Sequence, residues 1–431
     1  MSPAHSIPRA TRDHPVWLHV GVLLDGTSTS PRRDAHVVYD SDTIRFVDGD
    51  GRTPPRDILR PGQTTPDLAA PDATLLPGLT DAHAHLFLEG GELDAEKRAA
   101  SLKQSPAELF AAAKSRLAKL VQFGVTAVRD AGDKDGVGLA LSRLYAGGKT
   151  QRPLMPYLES PGAAIHHAGR YGSFMGDPLE KFSSAHACVE ARVALGADRI
   201  KLIPTGIINF KKAAVTTEPQ MTTGEVSQLV AAAKSFGRQT FAHASGDPGI
   251  DRAIDGGVDS IEHGFFLRDD QLAKLRDRRI AWVPTFAPLQ KQIDHAPLMK
   301  WEPGVVKNIQ GILDRHAASL GKAHAMGVLI VAGSDAGSYG VAHAVDFLYE
   351  LELMERAGLP SIAVINAATG VGSDRLAYKE KFGRIAPGYL SRFIFTRHSP
   401  LATVANLRQS RTIVFDGDVF ETEKDFDARG L

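Results

Sequence analysis

His83 and His85 close the run Leu76-Pro-Gly-Leu-Thr-Asp-Ala-His-Ala-His. A strand sends residues two apart to one face, so the two imidazoles project side by side. That spacing suits two nitrogen ligands on one divalent ion. A His-x-His pair alone is more often a hydrogen-bonded polar pair than a metal site. The weight of the reading therefore falls on where further ligands stand. Four short apolar runs carry them. Lys201 lies within Arg199-Ile-Lys-Leu-Ile-Pro, His243 ends Thr240-Phe-Ala-His, His263 ends Ser260-Ile-Glu-His, and Asp335 follows Val331-Ala-Gly-Ser. Singly, a strand-end histidine is a satisfied polar residue, a lysine among apolar neighbours snorkels outward, and an aspartate before Ala-Gly makes a turn. Four histidines, a lysine and an aspartate recurring at strand ends instead describe a metal-dependent catalytic site.

The elements that must position these residues are legible as patterns. From residue 16 to about 70 the chain reads as short β pieces (Trp17–Leu24, Ala35–Tyr39, Thr43–Val47) broken by Asp25-Gly26, Asp48-Gly49 and Asp50-Gly51, which is hairpin chemistry. From Leu75 to Gly370 apolar runs alternate with amphipathic stretches. The predicted strands are Leu75–Leu79, Val125–Arg129, Met155–Glu159, Arg199–Ile203, Gln239–Ala242, Ser260–Glu262, Ile280–Pro284 and Val328–Ala332. Helical segments such as Pro106–Phe123, Thr223–Phe236 and Val305–Met326 lie between them, several opened by cap residues. Eight strands alternating with helices predict an α/β fold, a (β/α)8 TIM barrel, whose chemistry sits at the C-terminal strand ends. An open doubly wound sheet is the alternative, weakened because no Gly-x-Gly-x-x-Gly follows the first strand. Beyond Gly370 the β texture returns in Arg392–Thr396 and Thr412–Phe415, with Asp416-Gly417 as a turn. The expected organisation is a leader at 1–15, a small β-sandwich from 16–74 and 371–431, and a barrel over 75–370.

Bulk properties exclude several classes. The 431 residues hold 50 Lys plus Arg against 50 Asp plus Glu, with 43% hydrophobic and 23% charged residues. This is a globular composition that gives no reason to expect nucleic acid or a membrane as partner. Cys188 is the single cysteine, so no intrachain disulfide forms, which fits a reducing compartment. The N-terminal stretch has charge and proline but no apolar core of a secretory signal, and no apolar run is long enough to span a bilayer. The cytoplasm is the expected location.

With these motifs in place, together with Gly124-Val-Thr-Ala-Val-Arg-Asp, Glu262-His263-Gly264 and Pro284-Thr285, the chain resembles the amidohydrolase superfamily over essentially its whole length. The resemblance is to the metal-dependent hydrolases that include Xaa-Pro dipeptidases, arginine/lysine carboxypeptidases and imidazolonepropionases. It implies two divalent metal ions, with zinc the best fit to mixed nitrogen and oxygen ligands and Mn2+ or Co2+ as alternatives. By position it implies His83, His85 and Asp335 on one ion and His243 and His263 on the other. Lys201, carboxylated by carbon dioxide, would bridge both. A buried lysine has a depressed pKa, so its neutral amine can react. The implied reaction is attack of a metal-bridging hydroxide on an amide carbonyl, with Asp335 passing the proton to the leaving nitrogen.

The loop Ala164-Ile-His166-His167-Ala-Gly-Arg170-Tyr171 stands where prolidase-like relatives carry Gly-Gly-His-Gly, so His167, or else His166, is expected to polarise the carbonyl. Substrate contacts are expected from loops that follow the strands: Arg170, Tyr171, Phe174, Lys211, Lys212, Phe265, Phe286 and Tyr339. Lys211 or Lys212 holding a carboxylate would suit an N-acyl amino acid or dipeptide-like substrate, and the aromatics imply an apolar acyl or aryl group. A cyclic amide, a carbamate or urea, and a lactone are the competing substrates for the same site, and a non-catalytic metal-binding barrel is the competing class. The partner expected is a small-molecule substrate. A homo-oligomer is left open, since relatives are often dimers or larger. One departure from the resemblance is Ser391-Arg392, where relatives read Ala-Asp after Gly-x-Ile-x-Pro-Gly. It is expected to change local packing rather than chemistry.

Overall fold

Asp-Gly turns cut both ends of the chain into short strands, while the middle alternates buried strands with capped helices. A computed structural model describes residues 6–149, 153–376 and 378–422. In chain order the strands are β1 (Val16–Leu23), β2 (Arg32–Tyr39), β3 (Ile44–Asp48), β4 (Leu68–Pro77), β5 (Leu79–Ala84), β6 (Val125–Asp130), β7 (Tyr157–Glu159), β8 (Ile200–Leu202), β9 (Ile208–Asn209), β10 (Ala214–Val215), β11 (Thr240–Ala244), β12 (Ser260–His263), β13 (Ala281–Val283), β14 (Arg392–Thr396), β15 (Arg411–Phe415) and β16 (Asp418–Thr422). The chain divides into two units. One draws on both ends of the chain together with Lys119–Ala127; the other holds Asp81–Ala118 and Val128–Leu359.

The first unit contains one seven-stranded sheet in the order β16-β15-β14-β4-β1-β2-β3. Its pairings are antiparallel except the central β1–β4 pair, which is parallel. Leu18 and Val20 of β1 bury with Val37 and Tyr39 of β2 and Phe393 of β14 in a common core. Ile7 and Ala10, from the stretch expected to be a leader, are buried in that core too. Arg392, the residue that departs from the family pattern, is fully buried. Its guanidinium pairs in bidentate fashion with Asp416 at 2.8 and 2.9 Å and stacks on Phe415 at 4.3 Å. A buried cation is tolerated only when paired and hydrogen-bonded in this way.

The second unit carries the strands whose ends bear the predicted ligands. β13, β12, β11 and β8 form a four-stranded parallel sheet, and β5, β6 and β7 form a sheet of three strands in that order. Helices Ala185–Ala194, Thr223–Ser235, Asp247–Gly256 and Asp269–Asp277 follow or separate these strands. The helix at Thr223 begins with a reciprocal capping box between Thr222 and Glu225, which satisfies amide groups that a helix start leaves open. Isolated parallel bridges extend the pairing at Ile165–Leu202, Trp282–Ile330 and Ala84–Ala336. The expected eighth strand, Val328–Ala332, is therefore not continuous. It is held by the bridge at Ile330 and by the Ala82 amide donating to the Ala332 carbonyl at 3.0 Å.

Beyond Ala332 the chain must approach β5 closely, and Gly333 permits it. A Cβ at Gly333 would sit 2.9 Å from His83 Cβ and 2.6 Å from Val283 Cγ1. Overpacking of this kind costs about 1–3 kcal/mol. Gly333→Ala is therefore expected to lower the unfolding free energy by that amount, seen as a lower urea midpoint, and to weaken metal uptake, because His83 is one of the neighbours that must move. An unchanged midpoint would show that the approach is not tight.

Candidate metal centre and active site

The site is built from buried charges upward. Arg129, near the end of β6, is fully buried. It donates from Nε to the Ala82 carbonyl at 2.6 Å, from Nη1 to Ser260 Oγ at 3.0 Å, and from Nη2 to both oxygens of Glu262 at 2.9 and 2.8 Å. Glu262 is itself fully buried and also accepts from Ser260 Oγ at 2.6 Å. Its Oε2 takes the remaining partner, the Nδ1–H of His83, at 2.6 Å. A carboxylate on Nδ1 fixes the imidazole tautomer and leaves Nε2 as the free acceptor.

That Nε2 is buried and has no hydrogen-bond partner among the described residues. It lies 3.6 Å from Asp335 Oδ1, and His85 Nε2 lies 3.5 Å from the same oxygen. His85 is oriented by Nδ1 donating to the Gly132 carbonyl at 3.2 Å. His263 Nδ1 bonds Thr285 Oγ1 at 2.8 Å, and His243 Nε2 donates to the Gly206 carbonyl at 3.3 Å. The rings of His243 and His263 are 4.6 Å apart and those of His83 and His263 5.0 Å. Ligand atoms of His83, His263 and Asp335 lie within 4.8 Å of one another, close enough for one ion to meet all three. An unpartnered buried ring nitrogen, hydrogen-bond partners holding the opposite ring positions and a buried carboxylate suit a divalent metal. The residues present fit the group.

Burial sets the electrostatics. It pushes His85 and His243 down to about 3 and His83 and His263 well below the usual imidazole range, so the rings are neutral and ready to ligate. Lys201, 1% exposed, is drawn down to about 8, mainly by desolvation. Its Nζ sits 4.7 Å from the Phe241 ring centroid and makes no ion pair among the described residues. Asp335 is pushed up to about 7 by burial. Behind it, Asp81 accepts from the Ser334 amide at 2.9 Å, from Ser334 Oγ, and from the His83 amide at 3.2 Å. One carboxylate thereby ties the segment bearing Asp335 to the strand bearing His83. His263, Thr285 and Asp335 all adopt left-handed backbone conformations, with φ of 66°, 52° and 55°. Such conformations cost about 1–3 kcal/mol each, and more readily collect at functional sites than elsewhere.

The cavity above the site encloses about 250 Å³. Of the expected substrate contacts, Tyr171, Phe174, Phe265 and Tyr339 line it, and the Tyr171 ring stands 5.3 Å from that of His243. Phe286 does not. It is buried behind the wall against His316, 4.7 Å away. Arg170 instead faces a neighbouring surface cavity and donates to the Glu218 carbonyl. Lys211 and Lys212 are exposed on the turn of the β9–β10 hairpin and do not line the catalytic cavity.

The two loop histidines are corrected as well. His166 is buried with Nδ1 on the His167 carbonyl at 2.8 Å and Nε2 on the Gly176 carbonyl at 2.9 Å. His167 is held between Glu180 at 2.6 Å and Glu225 at 3.2 Å. Neither lines the cavity; both spend their nitrogens on fixing the loop. The group this loop does bring beside the ligands is Tyr171. Its phenol is pushed upward by burial and by the Asp335 charge, so it stays a hydrogen-bond donor.

This arrangement could hold a metal ion, and the comparisons place the chain among hydrolases. Residues 74–419 match the amidohydrolase family, and the chain belongs to it. It is 23% identical over 427 residues to the ochratoxinase of Aspergillus niger, covering 92% of this chain and 84% of that protein. The crystal structure of A. niger ochratoxinase shares the fold with a TM-score of 0.78 at 21% identity, over 97% of this chain and 99% of that one. The crystal structure of a Xaa-Pro dipeptidase with methionine bound in its active site gives a TM-score of 0.76 at 25% identity, over 95% of this chain and all of the other. The protein is thus a hydrolase of carbon–nitrogen bonds. No helix among its described residues is long and apolar enough to cross a membrane.

The neutral histidines give the metal-free protein a defined pH response. An unfolded histidine takes up a proton below about 6.5, whereas folded His243 resists until about 3. The unfolded state then binds more protons, and stability falls as pH drops below about 6.5. At pH 5 this costs about 2 kcal/mol. The stability difference between wild type and His243→Asn, measured in urea without metal, is expected to be constant above pH 7. Between pH 6.5 and 5 it should shift by roughly that amount in favour of the variant. A pH-independent difference would mean that His243 is not held neutral.

Proposed function

We propose that the protein is a binuclear metal-dependent amidohydrolase that cleaves the amide C–N bond of a small substrate carrying an apolar acyl or aryl group. The observation that carries the reading is the buried cluster of His83, His85, His243, His263 and Asp335 around Lys201, with His83 Nε2 left unpartnered. On this reading the two short parallel sheets and the bridges at Ile165, Ile330 and Ala336 are arcs of one (β/α)8 barrel, and the ligands stand at its C-terminal strand ends.

His83, His85 and Asp335 would hold one ion and His243 and His263 the other, with zinc the best match to the donors. Lys201 would bridge them as a carbamate: the neutral amine adds to carbon dioxide, a C–N bond forms, and one proton leaves. Its burial without an ion-pair partner supports this, because the anion so formed would be answered by the two cations. When bound, the metals supply Lewis acidity to the carbonyl and a water that ionises near neutral pH.

The chain's own residues do the rest. Asp335, kept largely unsolvated, accepts the proton of the attacking water and returns it to the leaving nitrogen, which cannot depart as an anion. Tyr171, placed beside His243, donates to the carbonyl oxygen in the role first expected of His167. The aromatic and aliphatic wall excludes water and receives the apolar group.

Because Lys211 and Lys212 lie outside the cavity, the expected carboxylate contact of an N-acyl amino acid or dipeptide has no lysine to serve it. The reading therefore favours uncharged amides. The same uncharged wall admits a carbamate or urea.

Asp335→Asn separates the proton transfer from the site's assembly. The variant is expected to keep measurable metal but to lose about 10²–10⁴-fold in kcat on any amide the wild type cleaves in a substrate screen. Near-native kcat in the metal-loaded variant would remove Asp335 from the role.

A further inference from the structure

Gln292 is a buried polar side chain in the catalytic cavity that the chemistry above does not use. It is 8% exposed and stands on the helix Ala287–Asp294, which forms one wall. That helix is clamped from behind. Glu350 accepts from the amides of Phe286 and Ala287 at 2.8 and 2.6 Å, and buried Lys291 pairs with Asp346 at 2.8 Å. The orientation of the Gln292 amide is fixed by Trp301, whose Nε1–H donates to Gln292 Oε1 at 3.2 Å. An indole nitrogen only donates, so the glutamine oxygen must face Trp301 and the NH2 group is turned away from it. Among the described residues Nε2 makes no hydrogen bond. Trp301 is steadied in turn by an edge contact, at 6.0 Å, to Phe210, which lines the same cavity.

Apart from Lys201, which belongs to the metal cluster, no lysine or arginine among the described residues lines this cavity. A substrate carboxylate buried against the helix wall would lose its hydration with no cation to answer it. A preoriented, unsatisfied amide donor instead suits a neutral acceptor, and a site built to hydrogen-bond discriminates against ligands that lack the partner. We infer that Gln292 is a specificity-determining residue, donating through Nε2 to an uncharged oxygen acceptor on the apolar part of the substrate, so that the enzyme selects neutral aromatic amides bearing such an oxygen. This rests on the amide-hydrolase reading for the bond cleaved but not for the recognition itself.

Three acetanilides that share one scissile bond test it: para-carboxamide, para-methyl and para-aminomethyl. Calorimetry on metal-loaded protein gives Kd, and release of the aniline gives turnover. Wild type is expected to bind the carboxamide about 2–10-fold more tightly than the methyl compound. Gln292→Glu keeps an acceptor for Trp301 but replaces the donor with a carboxylate. It should abolish that preference and favour the aminomethyl compound, with metal content unchanged. Trp301→Phe frees the amide to rotate. It should weaken the carboxamide preference without creating one for the amine. Equal or absent binding of the carboxamide relative to the methyl compound in wild type overturns the proposal, as does a preference that Gln292→Glu leaves intact. Kd ratios that shift as expected while none of the three is hydrolysed uphold Gln292 and count against the amide-hydrolase reading instead.

Discussion

The buried chain Arg129–Glu262–His83 is the interaction on which the rest of the site depends. A guanidinium and a carboxylate without water are costly unless each is fully paired, and here every oxygen of Glu262 is occupied. The pair gains little net stability over a well-packed apolar alternative. What it supplies is direction: Glu262 takes Nδ1 of His83 and so aims Nε2 into the cluster. Removing either charge would strand the other in the interior and release the ring at the same time.

The other histidines of the cluster are aimed by the same device with weaker partners. His85 and His243 spend one nitrogen on backbone carbonyls, and His263 spends one on Thr285. Asp81 performs the corresponding task for the backbone, gathering the amides of His83 and Ser334 so that Asp335 arrives beside His83 and His85. Left-handed backbone at His263, Thr285 and Asp335 is tolerated because these side-chain bonds over-determine the local conformation. The enclosed wall then works on these side chains, keeping the imidazoles neutral and drawing Lys201 down to about 8.

Much of this was legible in the sequence. The strand-end positions of His83, His85, Lys201, His243, His263 and Asp335 follow from apolar runs and their boundaries, and the structure gathers all six. Strict strand alternation, however, sends Glu262 and His263 to opposite faces. Only the positive φ at His263 brings both toward the cluster, and a side-chain period cannot show that. The pairing of Arg129 with Glu262 has a signal in the sequence: opposite charges within two strands of a core must pair if both are buried. Loop residues were the least readable. His166, His167, Arg170, Lys211 and Lys212 are chemically suited to substrate, but the first three are directed by carbonyl and carboxylate partners that no side-chain pattern shows, and the two lysines stand exposed on a hairpin turn. Gln292 gave no pattern at all, because its meaning comes from the single indole donor that orients it.

The central claim is that this cluster is a two-metal centre bridged through Lys201. The most direct measurement is metal content per chain, by elemental analysis after loading with zinc in bicarbonate buffer, for wild type beside a folded Lys201→Ala variant. The account predicts about two ions per wild-type chain and a marked loss in the variant that the histidines alone do not restore. One ion or fewer in wild type, or the same count in both proteins, would contradict it.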